Sequence, residues 1–137
     1  MYSIDIDEAK DLRTYLQKIK VSNSVNILKC YDKFYKTYAK NYLIPRLDYY
    51  SKIMGLSYSD IKFRKMRSRW GSCSSKGTIT LNTELIKINK ELIDYIIVHE
   101  LAHLTHMNHS QKFHDLVEVY ISNSKELNKK LKTINLF

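Results

Sequence analysis

The stretch Val98-His99-Glu100-Leu101-Ala102-His103-Leu104 decides how this chain is to be read. His99 and His103 are four positions apart, so on a helix both imidazoles leave one face about one turn from each other. Two ring nitrogens placed in this way reach one zinc ion, at roughly 2.0–2.1 Å from each. Glu100, beside the first histidine, can then hold the water that the metal acidifies. This is the H-E-x-x-H pattern of zinc-dependent hydrolases. Five residues recur by chance, so the surroundings have to carry the assignment.

Two histidines leave zinc under-coordinated, since a catalytic site ordinarily has three protein ligands and one open position. His106 continues the same face, but it starts on the order of 10 Å along the helix axis from His99, too far to share an ion without strain. His109 is better placed if the helix ends near Met107-Asn108 and the chain turns back, with Ser110 capping the next helix. The resulting H-E-x-x-H-x5-H spacing equals that of the elongated zinc signature H-E-x-x-H-x-x-G-x-x-H, with His106 in the place of its glycine. His114 and Glu118, on the following helix, are the remaining candidates, because another zinc-peptidase group takes its third ligand from a later glutamate. The expected set is therefore His99, His103 and His109 as ligands and Glu100 as the catalytic residue.

The wider composition narrows the classes. The chain has 137 residues, 44% hydrophobic and 27% charged, the balance of one ordinary globular domain. No apolar run approaches the ~20 residues of a membrane span, and the acidic start Met1-Tyr2-Ser3-Ile4-Asp5-Ile6-Asp7-Glu8 lacks the features of a signal peptide. A cytoplasmic protein without a membrane partner is predicted. Cys30 and Cys73 form no C-x-x-C unit and read as two reduced thiols, with a thiol ligand at Cys73 as the sharper alternative. The net charge of +9 favours polyanions, and eleven tyrosines offer stacking faces, so nucleic acid is a possible partner. The same composition also fits solvated faces with no partner.

Along the chain, Ile6, Ala9, Leu12, Leu16 and Ile19 recur at helical spacing and predict a helix over 4–20. Val25 to Met54 forms a long apolar-periodic segment in which Pro45 predicts a kink or break and Gly55 supplies the stop. Residues 60–70 alternate and predict a strand with Ile61 and Phe63 inward. Residues 71–77 read as a turn and Thr78-Ile79-Thr80-Leu81-Asn82 as the returning strand of a hairpin. Asn82 or Thr83 can cap a short helical turn, and Asn89 the metal helix. Further helices are expected over 110–121 and 123–133. The organisation read from this is a single domain over 1–137, with a helical extension at 1–22 and the core at 24–121.

Arg69-Trp70-Gly71-Ser72-Cys73-Ser74, Leu81-Asn82, Ile93-Asp94-Tyr95, the H-E-x-x-H block and Asn108-His109-Ser110-x-x-Phe113 together resemble the YgjP-like metallopeptidase family, related to the SprT-like and WLM-like zinc peptidases. The resemblance covers roughly residues 60–120. It implies a zincin-like α+β fold with a long N-terminal helix, a small antiparallel sheet or hairpin, the metal helix and C-terminal helices. It also implies zinc on His99, His103 and His109, with Glu100 as acid/base. Two departures concern substrate preference: His114 stands where relatives commonly have Trp, and the N-terminal region is short and helical instead of β-rich.

The leading reading is a zinc peptidase that cleaves a peptide or protein substrate. A zinc-dependent nucleotide phosphoanhydride hydrolase and a basic nucleic-acid-binding module with structural zinc are the rivals. Tyr95, Tyr120 and His114 are candidate oxyanion donors, and Asp94 has no assigned role.

Overall fold

The computed structural model describes residues 24–134, with side chains from Lys29 onward. The helix expected over 4–20 and the extension at 1–22 lie outside these residues. The first element is α1 (Ser24–Met54), and it passes through Pro45 without interruption, so of the expected kink or break the break does not occur. Proline removes one backbone donor, but the turns on either side are held by tertiary packing. Leu43 and Leu47 are fully buried, and Arg46 forms a bidentate pair with Asp94 at 2.9 and 3.2 Å. The tyrosines at helical spacing turn inward from Tyr38 through Tyr42 to Tyr50, all buried. Gly55, at φ +67°, ends the helix in a conformation that favours glycine.

Three strands follow: β1 (Asp60–Arg64), β2 (Gly71–Cys73) and β3 (Thr78–Asn82), in the order β1-β3-β2. β3 pairs antiparallel with β2, but parallel with β1, Phe63 lying opposite Leu81. The expected hairpin between 60–70 and 78–82 is thereby corrected. The first strand stops at Arg64, and the real hairpin partner of β3 lies inside the stretch expected to be a turn. The physical cause is Asn82. Fully buried at the end of β3, it donates from Nδ2 to the carbonyls of Met66 and Arg69, both at 2.9 Å. Its Oδ1 accepts from the backbone of Glu84 at 3.0 Å and of Met66 at 3.4 Å. These bonds fold residues 65–70 over the end of β3, and the chain returns on its far side as β2. Alternation alone could not show this, because residues 65–69 alternate three cations with Met66 and Ser68 and have no strongly apolar face to bury.

Asn82 caps a 3-10 helix over Thr83–Lys87 and Asn89 caps α2 (Lys90–Ala102), each through its side chain as expected. Leu92, Ile93, Tyr95, Ile96, Ile97, Val98, Leu101 and Ala102 are all buried, so α2 is sheathed on nearly every side by α1, the sheet and the C-terminal helices. Such a sheath holds the residues of its last turn in fixed positions. Beyond it come α3 (Gln111–Tyr120) and α4 (Ser124–Lys132). Phe113, Val117, Ile121 and Leu127 from this end join the same core, which therefore reaches past residue 121. Among the described residues no helix is long and apolar enough to cross a membrane.

Candidate metal centre

The last turn of α2 carries His99 and Glu100, and the helix closes at Ala102 with His103 as its cap. The end comes earlier than the Met107-Asn108 boundary expected from sequence. The His103 ring helps to set it: Nδ1 lies 3.0 Å from the His106 carbonyl oxygen. A carbonyl can only accept, so Nδ1 carries the proton and Nε2 is left with its lone pair. The chain then loops back to Ser110, which caps α3 by accepting from the Phe113 N–H at 3.4 Å. His109, just before that cap, swings its Nε2 to 3.2 Å from His99 Nε2.

The three imidazoles of His99, His103 and His109 converge, with one nitrogen from each within 4.8 Å of the others. Two nitrogens on one tetrahedral ion, bonded at roughly 2.0–2.1 Å, stand about 3.3 Å apart. The observed 3.2 Å between His99 and His109 matches that separation. The rings share a floor, the buried Phe113, which stacks on His103 at 4.5 Å and meets His99 and His109 edge-on at 4.9 and 5.0 Å. Sequence reading placed Phe113 in a motif block without a role; only packing shows why a flat apolar ring belongs there.

Burial governs the charges. The His99 imidazole is pushed down to about 3, first by desolvation and then by His103, His109 and His114. His103 is also lowered, with burial the first cause. Both rings are thus neutral near pH 7, the state in which imidazole ligates a metal. Glu100 is buried, and desolvation raises its carboxyl to about 7 against the pull of Arg69. A carboxyl poised there exchanges a proton readily at neutral pH. Gly71 of β2 lies against it: a Cβ on Gly71 would come within 3.1 Å of Glu100 Cγ and 3.2 Å of its Oε2.

The other candidates fall elsewhere. His106 serves through its backbone carbonyl. His114 stacks beside His109 at 6.4 Å, at the edge of the cluster. Glu118 is outside the histidine group and faces Lys125 at 3.9 Å. Cys73 is also outside that group; its thiol points at the Ser74 carbonyl at 3.6 Å, and burial followed by Glu100 raises its pKa. The Tyr120 hydroxyl donates to the Ile53 carbonyl at 3.3 Å. Tyr95 is buried, its ring 5.8 Å from His99. Asp94, left without a role by sequence, ties α2 to α1 through Arg46. The closeness of Gly71 and Arg69 to Glu100 was not legible beforehand.

A family profile described as YgjP-like, metallopeptidase domain, matches residues 4–134. The chain belongs to the YgjP-like metallopeptidase family. Two solved metallopeptidase structures are similar to the chain in fold. The metallopeptidase zymogen abylysin of Pyrococcus abyssi is 30% identical, with a TM-score of 0.59 over 66% of this chain and 92% of its own. The metallopeptidase zymogen jannalysin of Methanocaldococcus jannaschii is 25% identical, with a TM-score of 0.57 over 65% of this chain and 92% of its own. No curated protein matches the chain. This YgjP-like protein is accordingly a metallopeptidase with an α+β fold, and its histidine cluster is suited to a metal ion.

Proposed function

We propose that this metallopeptidase cleaves peptide bonds with a zinc ion held by His99, His103 and His109 and with Glu100 as general base. The observation that carries the reading is one buried carboxyl, raised to about 7, next to three convergent imidazoles. Three imidazole nitrogen donors suit zinc over the oxygen-seeking magnesium and calcium. A zinc ion bound there supplies Lewis acidity for the scissile carbonyl and acidifies water.

The chain's own groups do the remaining work. Glu100 takes a proton from the attacking water at a carboxylate oxygen while the water oxygen bonds to the carbonyl carbon. The protonated carboxyl then gives that proton to the departing amine nitrogen as the C–N bond breaks. The His103 Nδ1–H bond to the His106 carbonyl fixes the ring and its tautomer. Phe113 and the apolar residues of α2 keep bulk water from the rear of the cluster. The two unpaired cysteines support a reducing cytoplasmic setting.

The test compares the zinc-loaded protein with Glu100→Gln on casein, on peptides and on nucleotides. Peptide cleavage should fall by about 10²–10⁴-fold with roughly one zinc per chain retained. Nucleotide hydrolysis lost with the same substitution, with peptides untouched by either protein, would move the site to phosphoanhydride chemistry.

A further inference from the structure

The sheet has a second face, opposite the one that Gly71 turns to Glu100, and positive charge collects on it. Arg64, Lys65, Arg67, Arg69, Ser72 and Thr80 line a groove of about 480 Å³ there. Lys65 and Lys87 share Glu84, at 3.7 Å and closer. Arg64, Arg67 and Arg69 form no ion pair among the described residues, and all three are exposed. The loop that carries two of them is held in place by the four bonds of buried Asn82. A row of exposed arginines on and beside a fixed loop, without an ion pair and offset only by the pull of Arg69 on Glu100, is arranged to receive an anion.

The groove also adjoins the site in a definite register. β2 is an edge strand. The Asn82 N–H donates to the Trp70 carbonyl at 3.0 Å, and the Ser74 N–H donates to the Thr78 carbonyl at 2.9 Å. In an antiparallel pair these bonds recur at alternate residues, so Gly71 and Cys73 turn their backbone groups to the open edge. Gly71 touches Glu100 on one face of the sheet. Ser72, opposite Thr80, belongs to the other face and to the groove. A peptide laid along this edge places alternate side chains on alternate faces. When its backbone passes Glu100, the side chain beside Ser72 points into the arginines.

We propose that this groove is a specificity subsite that takes an aspartate or glutamate side chain of the peptide being cleaved. The inference rests on the peptidase reading above and adds its substrate class. A nucleic-acid backbone would also seek such charge; the position of the groove on the strand beside Glu100 favours the peptide.

The test is a set of peptides that differ only by Glu, Gln or Lys at successive positions, with kcat/KM measured on the zinc-loaded full chain. Glu should be preferred over Gln by about tenfold at one position or at two positions spaced by one residue, and less so in high salt. Arg64→Glu with Arg67→Glu should abolish or reverse that ratio in favour of Lys. Lys129→Glu with Lys130→Glu, the same charge change on α4, should keep it. Circular dichroism checks that each variant is folded. Equal rates for Glu and Gln at every position, or a preference that survives the arginine changes, overturn the subsite alone. Single-stranded DNA binding lost in the arginine variant, with peptide preference unchanged, overturns it in favour of a nucleic-acid surface. No cleavage of any peptide by the zinc-loaded protein overturns the peptidase reading and the subsite with it.

Discussion

His103 donates through Nδ1 to the backbone carbonyl of His106 across 3.0 Å, so His106 supports the cluster without using its own ring. Replacing that ring is therefore nearly silent. His106→Ala should hold metal within about threefold of the parent, since the carbonyl remains. His109→Ala removes a nitrogen from the cluster and should cost at least ~100-fold, beyond what loss of a supporting partner costs. Competition with a fluorescent zinc chelator measures both. Equal losses would mean that the His106 imidazole is a ligand after all.

Gly71 is tight against Glu100. A methyl group there meets the Glu100 side chain at 3.1 Å and the Thr80 carbonyl at 3.2 Å, and the backbone oxygen cannot yield easily. Gly71→Ala should push the carboxyl aside by tenths of an ångström. The expected result is a loss of about tenfold in kcat with metal affinity kept. Unchanged kcat would show that Glu100 adjusts freely.

Arg46 binds Asp94 by two hydrogen bonds and lies 5.0 and 5.3 Å from the Tyr49 and Tyr50 ring centroids. The pair is three-quarters buried, at 23% and 21% exposure, so it lies between a surface bridge and a buried one. Hydrogen bonding to Asp94 is the first cause of the raised Arg46 pKa. Removing one partner leaves the other poorly solvated. Asp94→Ala should lower stability by roughly 1–3 kcal/mol in urea unfolding. Arg46→Ala should cost more, because the ring contacts go too. A double-mutant cycle should give a coupling clearly above zero.

The metal-free protein should reveal Glu100 through pH. Its carboxyl titrates at about 7 when folded against 4.5 as the ordinary value. Between these limits the folded state holds more protons than the unfolded one. The contribution of Glu100 to stability is therefore full below 4.5 and is lost as pH rises through 7. His99, lowered to about 3 from 6.5, acts oppositely, favouring the fold above 6.5 and weakening it as pH falls. Comparison with Glu100→Gln isolates the first effect. At pH 8 the variant should be more stable by roughly 3 kcal/mol, an advantage that shrinks towards pH 4.5. A difference that does not vary with pH would place the Glu100 carboxyl in water.

Much of this protein was determined by sequence alone because the determining interactions are local. His99 and His103 share a face by helical period, and Asn82, Asn89 and Ser110 cap through donors two or three residues away. The inward tyrosines of α1 follow from spacing as well. What tertiary structure decided involves partners distant in the chain. Asn82 gathers Met66 and Arg69 and so makes β1 parallel to β3 where a hairpin was expected. Arg46 reaches Asp94 and holds α1 together past Pro45. Gly71 meets Glu100 across the sheet edge, and the Phe113 ring forms the floor of the histidine cluster. Periodicity states which way a side chain faces; it carries no information on what it faces, and burial by those neighbours is what brings Glu100 to about 7.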